Sequence, residues 1–438
     1  MSSWQERYGH KIIAPEEAAR LVKSGDRVDF AYFPGHPSAT PLALVTRRHE
    51  LRDVVVYADL FPVPLEWDRI GEEHHVRCYT GFLLPTNRAA YEEGLMSFVP
   101  GSLVSIGKRD EGGRNGSTGP DVYFFRVSPP DGRGLCSFGS AIWHNKGLAK
   151  KAKLKVAEVQ EGIIRTYGDN FIHVDEIDYL VELPPAKIPQ PMAEASGEKL
   201  ELLEVIGAQA AELVRDGDTL EIGIGFASSV VVRFLGNKLH LGFHSELTPP
   251  GLADLVDAGV IDGKKKTLNP GKAVATCGPL GPEAWRLHEN PAWELYGVEY
   301  THNLSVISAQ ENMVGINTAV AIDLTGQVAA ESFGPRLWSG PGGQLEFVTG
   351  AMMARGGRSI HCLPSTARDG HESRIVAALP RGSIVTIPRT LVDYVVTEYG
   401  VVNLLGKSEG ERAEALISIA HPDHRRELRR QGRRLGIL

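Results

Sequence analysis

The sequence predicts an α/β protein made of two duplicated α/β domains with largely parallel sheets. Three observations carry that prediction. At 438 residues the chain is too long for a single hydrophobic core. The chain also repeats itself, since Ala18-Ala19-Arg20-Leu21-Val22-Lys23-Ser24-Gly25-Asp26-Arg27-Val28 has the pattern of Ala210-Ala211-Glu212-Leu213-Val214-Arg215-Asp216-Gly217-Asp218-Thr219-Leu220. Short apolar runs, Asp53–Tyr57, Val122–Val127, Asp178–Val181, Ser383–Ile387 and Tyr394–Val396, alternate as strands with helical stretches.

Each repeat reads as a helix with Ala and Leu or Val at i, i+3 and i+4, stopped by Gly-Asp. The glycine is expected to supply a left-handed C′ residue, with a strand following at once. The strand then enters a turn-rich loop, Phe33-Pro34-Gly35-His36-Pro37 in one copy and Gly223-Ile224-Gly225 in the other. Between the copies, the proline-rich Leu183–Pro191 cannot continue a helix or a central strand. It reads as the linker between domains 1–190 and 191–438. The glycines of residues 106–119, set among charges, mark a surface loop.

Composition narrows the function. The chain is 42% hydrophobic and 23% charged, ordinary for a globular protein, and its net charge of −7 argues against nucleic acid as a partner. The Arg-rich segment from Arg425 to Arg434 reads as a solvated helix face. Cys78, Cys136, Cys277 and Cys362 stand without CxxC spacing, as buried, reduced thiols would. No apolar run is long enough for a membrane span, and residues 1–12 do not resemble a leader. A cytoplasmic location without a membrane partner is expected.

Two features point to a ligand. In Leu239–Glu246, Leu239, Leu241 and Phe243 alternate like the buried face of a strand that stops at the carboxylate of Glu246. The Gly223-Ile224-Gly225 turn follows another strand-like run, Thr219 to Ile222. Ligands of open α/β sheets bind beyond the carboxyl ends of strands, so a glycine turn and a carboxylate at neighbouring ends suggest an anionic cofactor with an acid facing its reactive end. A dinucleotide fingerprint would need glycine where Ser228 stands, and the Gly400-to-Ser408 phosphate-loop match has the wrong spacing. His244 with Glu246, and His421 with His424, lack further ligands at sensible spacing, so no metal is expected. Asp423 reads as a helix cap. The loop Ser339-Gly340-Pro341-Gly342-Gly343-Gln344-Leu345-Glu346-Phe347 can bring backbone N–H groups close to an oxyanion or phosphate, or form a plain tight turn. Asn317 offers a neutral amide donor or a cap.

With these segments the sequence resembles the acetyl-CoA hydrolase/transferase family, nearest its 4-hydroxybutyrate and butyrate CoA-transferase branch. The likeness covers nearly the whole chain. It includes Gly223-Ile224-Gly225, His244-Ser245-Glu246, Ile316-Asn317-Thr318-Ala319, Asp323-Leu324-Thr325-Gly326-Gln327, Ser339 to Phe347, Ser373-Arg374-Ile375, Val396-Thr397-Glu398-Tyr399-Gly400 and Ile419-Ala420-His421-Pro422. The resemblance implies a CoA-transferase fold of two similar domains with the active site in the cleft between them, and coenzyme A as co-substrate. It implies that Glu246 is the nucleophile and that Glu221, Ile222, Gly223, Ile224 and Gly225 contact CoA. Gly342 or Gly343 would lend an N–H to the acyl oxygen, and Asn317 and Ala319 would line the acyl and CoA site. The partners implied are an acyl-CoA and a small carboxylic acid, with a homodimer or homotetramer as the assembly.

A desolvated carboxylate can attack a thioester carbonyl, and glycine N–H groups can hold the resulting oxyanion without reorganisation. The reaction implied is CoA transfer through an acyl–glutamyl anhydride and a glutamyl–CoA thioester. Hydrolysis of the same anhydride, transfer to an unusual acceptor, or CoA binding without turnover stay open from sequence. The chain departs from the family at Glu221, where glutamine is common, and at Pro250-Gly251, where Asp-Gly is usual. Glu346 replaces the aspartate of the glycine loop, and Gln160-Glu161-Gly162-Ile163-Ile164 replaces an Asn with a Met-Pro pair. These departures touch substrate choice more than chemistry.

Overall fold

The computed structural model describes residues 3–62, 65, 67, 76–105, 119–185, 198–223, 225–368 and 370–438. The expected linker and the 106–119 loop fall largely outside these residues. The chain divides into two compact units, Met1–Pro191 with Thr276–Glu299, and Met192–Ala275 with Tyr300–Leu438.

In the first unit, α1 (Pro15–Arg20) leads through a turn at Gly25, with φ +88°, into β1 (Arg27–Phe30). The helix ends well before the glycine, which is therefore not its C′ residue. Gly25 instead takes the left-handed corner of the turn, and the Asp26 carboxylate ties that corner by accepting the Lys23 N–H at 2.7 Å. After α2 (Ala39–Thr46) come β2 (Val54–Tyr57), β3 (Val76–Thr80), β4 (Ser97–Phe98), β5 (Val122–Val127), β6 (Leu154–Gln160) and β7 (Tyr179–Leu183). The sheet order is β7-β6-β5-β1-β2-β3-β4, and every pairing is parallel. The near-continuous apolar runs of β2 and β5 suit a sheet covered on both faces.

Thr276–Glu299 belongs with this unit through its backbone. Ile142 donates to the Thr276 carbonyl at 2.9 Å, Gly278 to Ser140 at 2.7 Å and Val298 to Trp143 at 3.1 Å. Inside β6, the wholly buried Glu158 accepts the N–H groups of Ser38, Ala39 and Thr40 at 2.7–2.8 Å, together with the Ser38 and Thr40 hydroxyls. It thereby seals the N-terminus of α2, where backbone donors lack helical partners.

The second unit repeats the opening. Helix α3 (Glu198–Glu212) precedes a turn at Gly217, with φ +80°, and β8 (Thr219–Ile222) follows. Asp218 accepts the Arg215 N–H at 2.6 Å, as Asp26 does from Lys23. Then come β9 (Gly242–Leu247), α4 (Leu304–Ala309), β10 (Met313–Thr318), α5 (Gln344–Met353), β11 (Arg358–Cys362), β12 (Tyr394–Thr397), β13 (Gly400–Asn403), α6 (Glu409–Ser418) and α7 (Pro422–Arg434). These strands lie in the order β13-β12-β11-β10-β8-β9, parallel from β12 to β9, with β13 antiparallel at the edge. The chain builds to one side of β8 with β9 and to the other with β10. The crevice beyond the carboxyl ends of these strands is thus a topological switch point, where open α/β sheets bind ligands.

Three local expectations are corrected. Ser383–Ile387 forms no strand, only an isolated bridge between Ile387 and Val328, and Ile384 and Val385 stay exposed. Leu239 is exposed rather than on a buried face, because His240 takes a left-handed φ of +55° and breaks the alternation before β9 starts. The cap of α7 is His421, whose ring accepts the Asp423 N–H at 3.3 Å, with Pro422 at the first helical position. Among the described residues no helix is long and apolar enough to cross a membrane.

Candidate active site

Strand register decides which side chains meet. Leu220 pairs with Phe243 and Ile222 with Ile316, so Glu221, His244 and Glu246 share one face of the sheet with Gly315 and Asn317. Asn317 pairs in turn with His361 of β11 on the same face. Helix α5 covers this face: its Phe347 ring lies 6.2 Å from His244 and 4.9 Å from His302.

Glu246 ends the row at the N-terminus of α5. Its Oε2 accepts the Gly343 N–H at 2.7 Å, and His302 Nε2 lies 3.1 Å from the same oxygen. Gly343 is the N-cap residue of α5, so a free backbone donor and the positive end of the helix dipole both face the carboxylate. Oε1 makes no hydrogen bond among the described residues, and the side chain keeps 15% exposure. Gly342 takes φ +56°, the left-handed turn that delivers Gly343 to the carboxylate. Gly343 itself must be glycine for space, since a Cβ would overlap the His302 ring edge and stand 2.5 Å from Oε2.

Beneath Glu246 lies a hydrogen-bonded pair, Glu221 and Asn317. Asn317 Nδ2 donates to Glu221 Oε2 at 2.7 Å, so Asn317 is a strand residue bonded to a buried acid and not a cap. Burial first, and the neighbouring Glu246 charge second, push the Glu221 carboxyl well above its ordinary 4.5. His244 donates from Nε2 to the Thr301 carbonyl at 2.9 Å, and burial holds its pKa down at about 3. His361 is wholly buried, neither ring nitrogen is hydrogen-bonded among the described residues, and burial lowers its pKa to about 4.

The other expected site residues are placed as follows. Gly223 packs on Asn317, its N–H bonded to the Ile316 carbonyl at 2.9 Å. Gly225 packs on Thr318 so closely that a Cβ would meet the Thr318 hydroxyl. Ser228, in place of a third glycine, closes the turn by donating to the Gly223 and Gly225 carbonyls at 2.8 and 3.0 Å. Ile222 and Ala319 are wholly buried, and Ala319 belongs to an apolar cluster with Ile322 and Leu324. Ile224 lies outside the described residues. Sequence reasoning missed His302, which sits beside Asn303, the cap of α4, with nothing in its spacing to tie it to Glu246.

Known proteins resemble this chain over its whole length. A 4-hydroxybutyrate coenzyme A transferase of Clostridium kluyveri is 40% identical across 97% of this chain and 98% of its own. A succinyl-CoA:cyclohexane-1-carboxylate CoA transferase of Geobacter metallireducens is 35% identical across 99% and 98%. The crystal structure of RipA from Yersinia pestis superimposes with a TM-score of 0.88 at 31% identity, covering 100% of both chains. With this fold and these relatives, the protein is an enzyme of the CoA-transferase class. Residues 1–190 match the acetyl-CoA hydrolase/transferase N-terminal domain and residues 284–432 the C-terminal domain. The chain belongs to the acetyl-CoA hydrolase/transferase family.

Proposed function

We propose that this enzyme moves CoA from an acyl-CoA to a small carboxylic acid through covalent intermediates on Glu246. One observation supports this most directly: one carboxylate oxygen is anchored on a helix N-terminus while the other has no hydrogen-bond partner among the described residues. Oε1 attacks the thioester carbonyl, the C–S bond breaks, and a mixed acyl–glutamyl anhydride remains. The thiolate then attacks Cδ of Glu246, releasing the donor acid and leaving a glutamyl–CoA thioester. An acceptor carboxylate reverses the two steps and departs as the new acyl-CoA. One thioester is exchanged for another, so no external energy source is needed.

In this reading Gly343 donates to developing negative charge, Asn317 fixes the floor of the acyl site through Glu221, and Gly342 shapes the loop. The CoA arm is assigned to the turn that starts at Glu221 and Ile222 and continues through Gly223 to Gly225, with Ala319 behind it.

The test is incubation with butyryl-CoA, reduction with borohydride and peptide mass analysis. Reduction of Glu246 to the alcohol is expected, and it should vanish in Glu246→Gln. A fully active enzyme whose Glu246 stays unmodified overturns the reading. Acyl-CoA loss that is independent of added carboxylic acid would make the enzyme a hydrolase.

A further inference from the structure

We propose that His302 is a second oxyanion donor in this reaction, holding Glu246 Oε2 together with the Gly343 N–H whenever the glutamyl carbon becomes tetrahedral. The inference rests on Glu246 being the nucleophile.

Two donors converge on one oxygen, Gly343 N at 2.7 Å and His302 Nε2 at 3.1 Å. An ionised carboxylate only accepts, so Nε2 must carry hydrogen. The other ring nitrogen, Nδ1, lies 2.8 Å from the Thr301 hydroxyl, which can donate to it and leave the proton on Nε2. The imidazole is wholly buried and rests edge-on against Phe347 at 4.9 Å. It is therefore held in place before the reaction starts, as an oxyanion donor must be.

This arrangement makes the two carboxylate oxygens unequal. Oε1 has no hydrogen-bond partner among the described residues and attacks. When the thiolate adds to Cδ of the anhydride, the C–S bond forms and the carbonyl electron pair moves onto Oε2, between both donors. Collapse restores the Cδ–Oε2 double bond and breaks Cδ–Oε1, so the donor acid leaves carrying Oε1. Attack by the acceptor acid puts charge on Oε2 again and expels the thiolate. No proton changes hands, and a neutral N–H at the same point can replace the imidazole.

The experiment compares His302→Phe, His302→Gln and His302→Asn. From Cβ, a glutamine amide reaches about as far as Nε2, whereas an asparagine amide reaches only to the Nδ1 position. Free-CoA affinity serves as the check on folding. Loss of one oxyanion donor predicts that His302→Phe drops kcat by on the order of 10²–10³ with CoA affinity unchanged. His302→Gln should return to within about tenfold of wild type with an unaltered pH profile, as expected of a donor that keeps its proton. If His302→Phe does not bind CoA, the remaining pair decides: Gln active and Asn about 10²-fold slower supports the donor, and equal rates overturn it. A His302→Phe enzyme that binds CoA and keeps the wild-type rate also overturns it. Failure of the nucleophile reading looks different, since the wild-type enzyme itself would then show no hydride-trapped Glu246.

Discussion

Replacing Gly343 with alanine tests the site at its tightest point. The backbone there, φ −96° and ψ 9°, suits any residue, so the only obstacle to a side chain is room. A Cβ would meet the His302 ring and stand 2.5 Å from Glu246 Oε2, where ordinary contact begins at 3.4 Å. The carboxylate must then retreat by about 0.9 Å, which stretches the 2.7 Å bond from Gly343 to roughly 3.6 Å, no longer a hydrogen bond. Losing one donor of this kind costs on the order of 10²–10³ in kcat. Overpacking against a buried ring costs a further ~1–3 kcal/mol of stability. Steady-state transfer between butyryl-CoA and acetate, run beside thermal melts, reads both effects. A Gly343→Ala enzyme within about threefold of wild type would refute the claim that this N–H and this carboxylate act as a unit.

Three further outcomes follow from the buried charges. Glu221 holds its proton more tightly folded than unfolded, so its contribution to stability falls as pH rises above its ordinary 4.5. Glu221→Gln should therefore raise the melting temperature by a few degrees near pH 8 and by almost nothing near pH 4.5, and equal shifts at both would sink the assignment. His361 refuses a proton that the unfolded chain accepts below 6.5. Stability is thus complete above that pH and drains as pH falls toward about 4, by roughly 3 kcal/mol. His361→Leu should flatten the loss of melting temperature between about pH 7.5 and about pH 5 by on the order of 5 °C, and a slope like wild type would contradict this. Glu158→Gln leaves donors at the start of α2 facing an amide N–H₂. It should cost about 3–5 kcal/mol, roughly 10 °C of melting temperature, and an unshifted melt would show that the carboxylate is not what holds that helix end.

The parts of this molecule written in local pattern were legible in the sequence. The repeated helix–Gly-Asp–strand segment set both central strands, and β-branched runs such as Val54–Tyr57 and Val122–Val127 became central parallel strands. Glu246 and the paired glycines were visible because a strand end and a turn each leave a mark. Where a pattern needs a distant partner, sequence failed. Ser383–Ile387 has strand composition, but Thr386 and Ile387 meet Val328 only at an isolated bridge, and Ser383 bonds back locally to the Pro380 carbonyl. Leu239 continues an apolar alternation that the positive φ of His240 cuts. His302 was invisible because its meaning comes from a contact 56 residues away in sequence. The bond between Asn317 and Glu221, 96 residues apart, was hidden for the same reason.

Glu158 and Glu246 both face helix N-termini, and the difference between them explains why only the second suits nucleophilic chemistry. Glu158 is wholly buried, and both of its oxygens are occupied by backbone N–H groups or hydroxyls. Each of these bonds draws electron density from the oxygen that accepts it, so Glu158 is held firmly in place and poor as an attacker. Glu246 has the same helix-end attraction on Oε2 alone. That bond fixes the carboxylate without occupying Oε1, whose lone pairs are left in a partly desolvated position. In the proposed reaction, adding donors to Oε1 would strengthen the fold locally and weaken the attack. Removing those on Oε2 would free the carboxylate to turn and leave the proposed tetrahedral intermediate without its support. Two donors on one oxygen and, among the described residues, none on the other satisfies both demands, which is why, in the proposed reaction, the imidazole of His302 carries as much weight as the place of the glutamate.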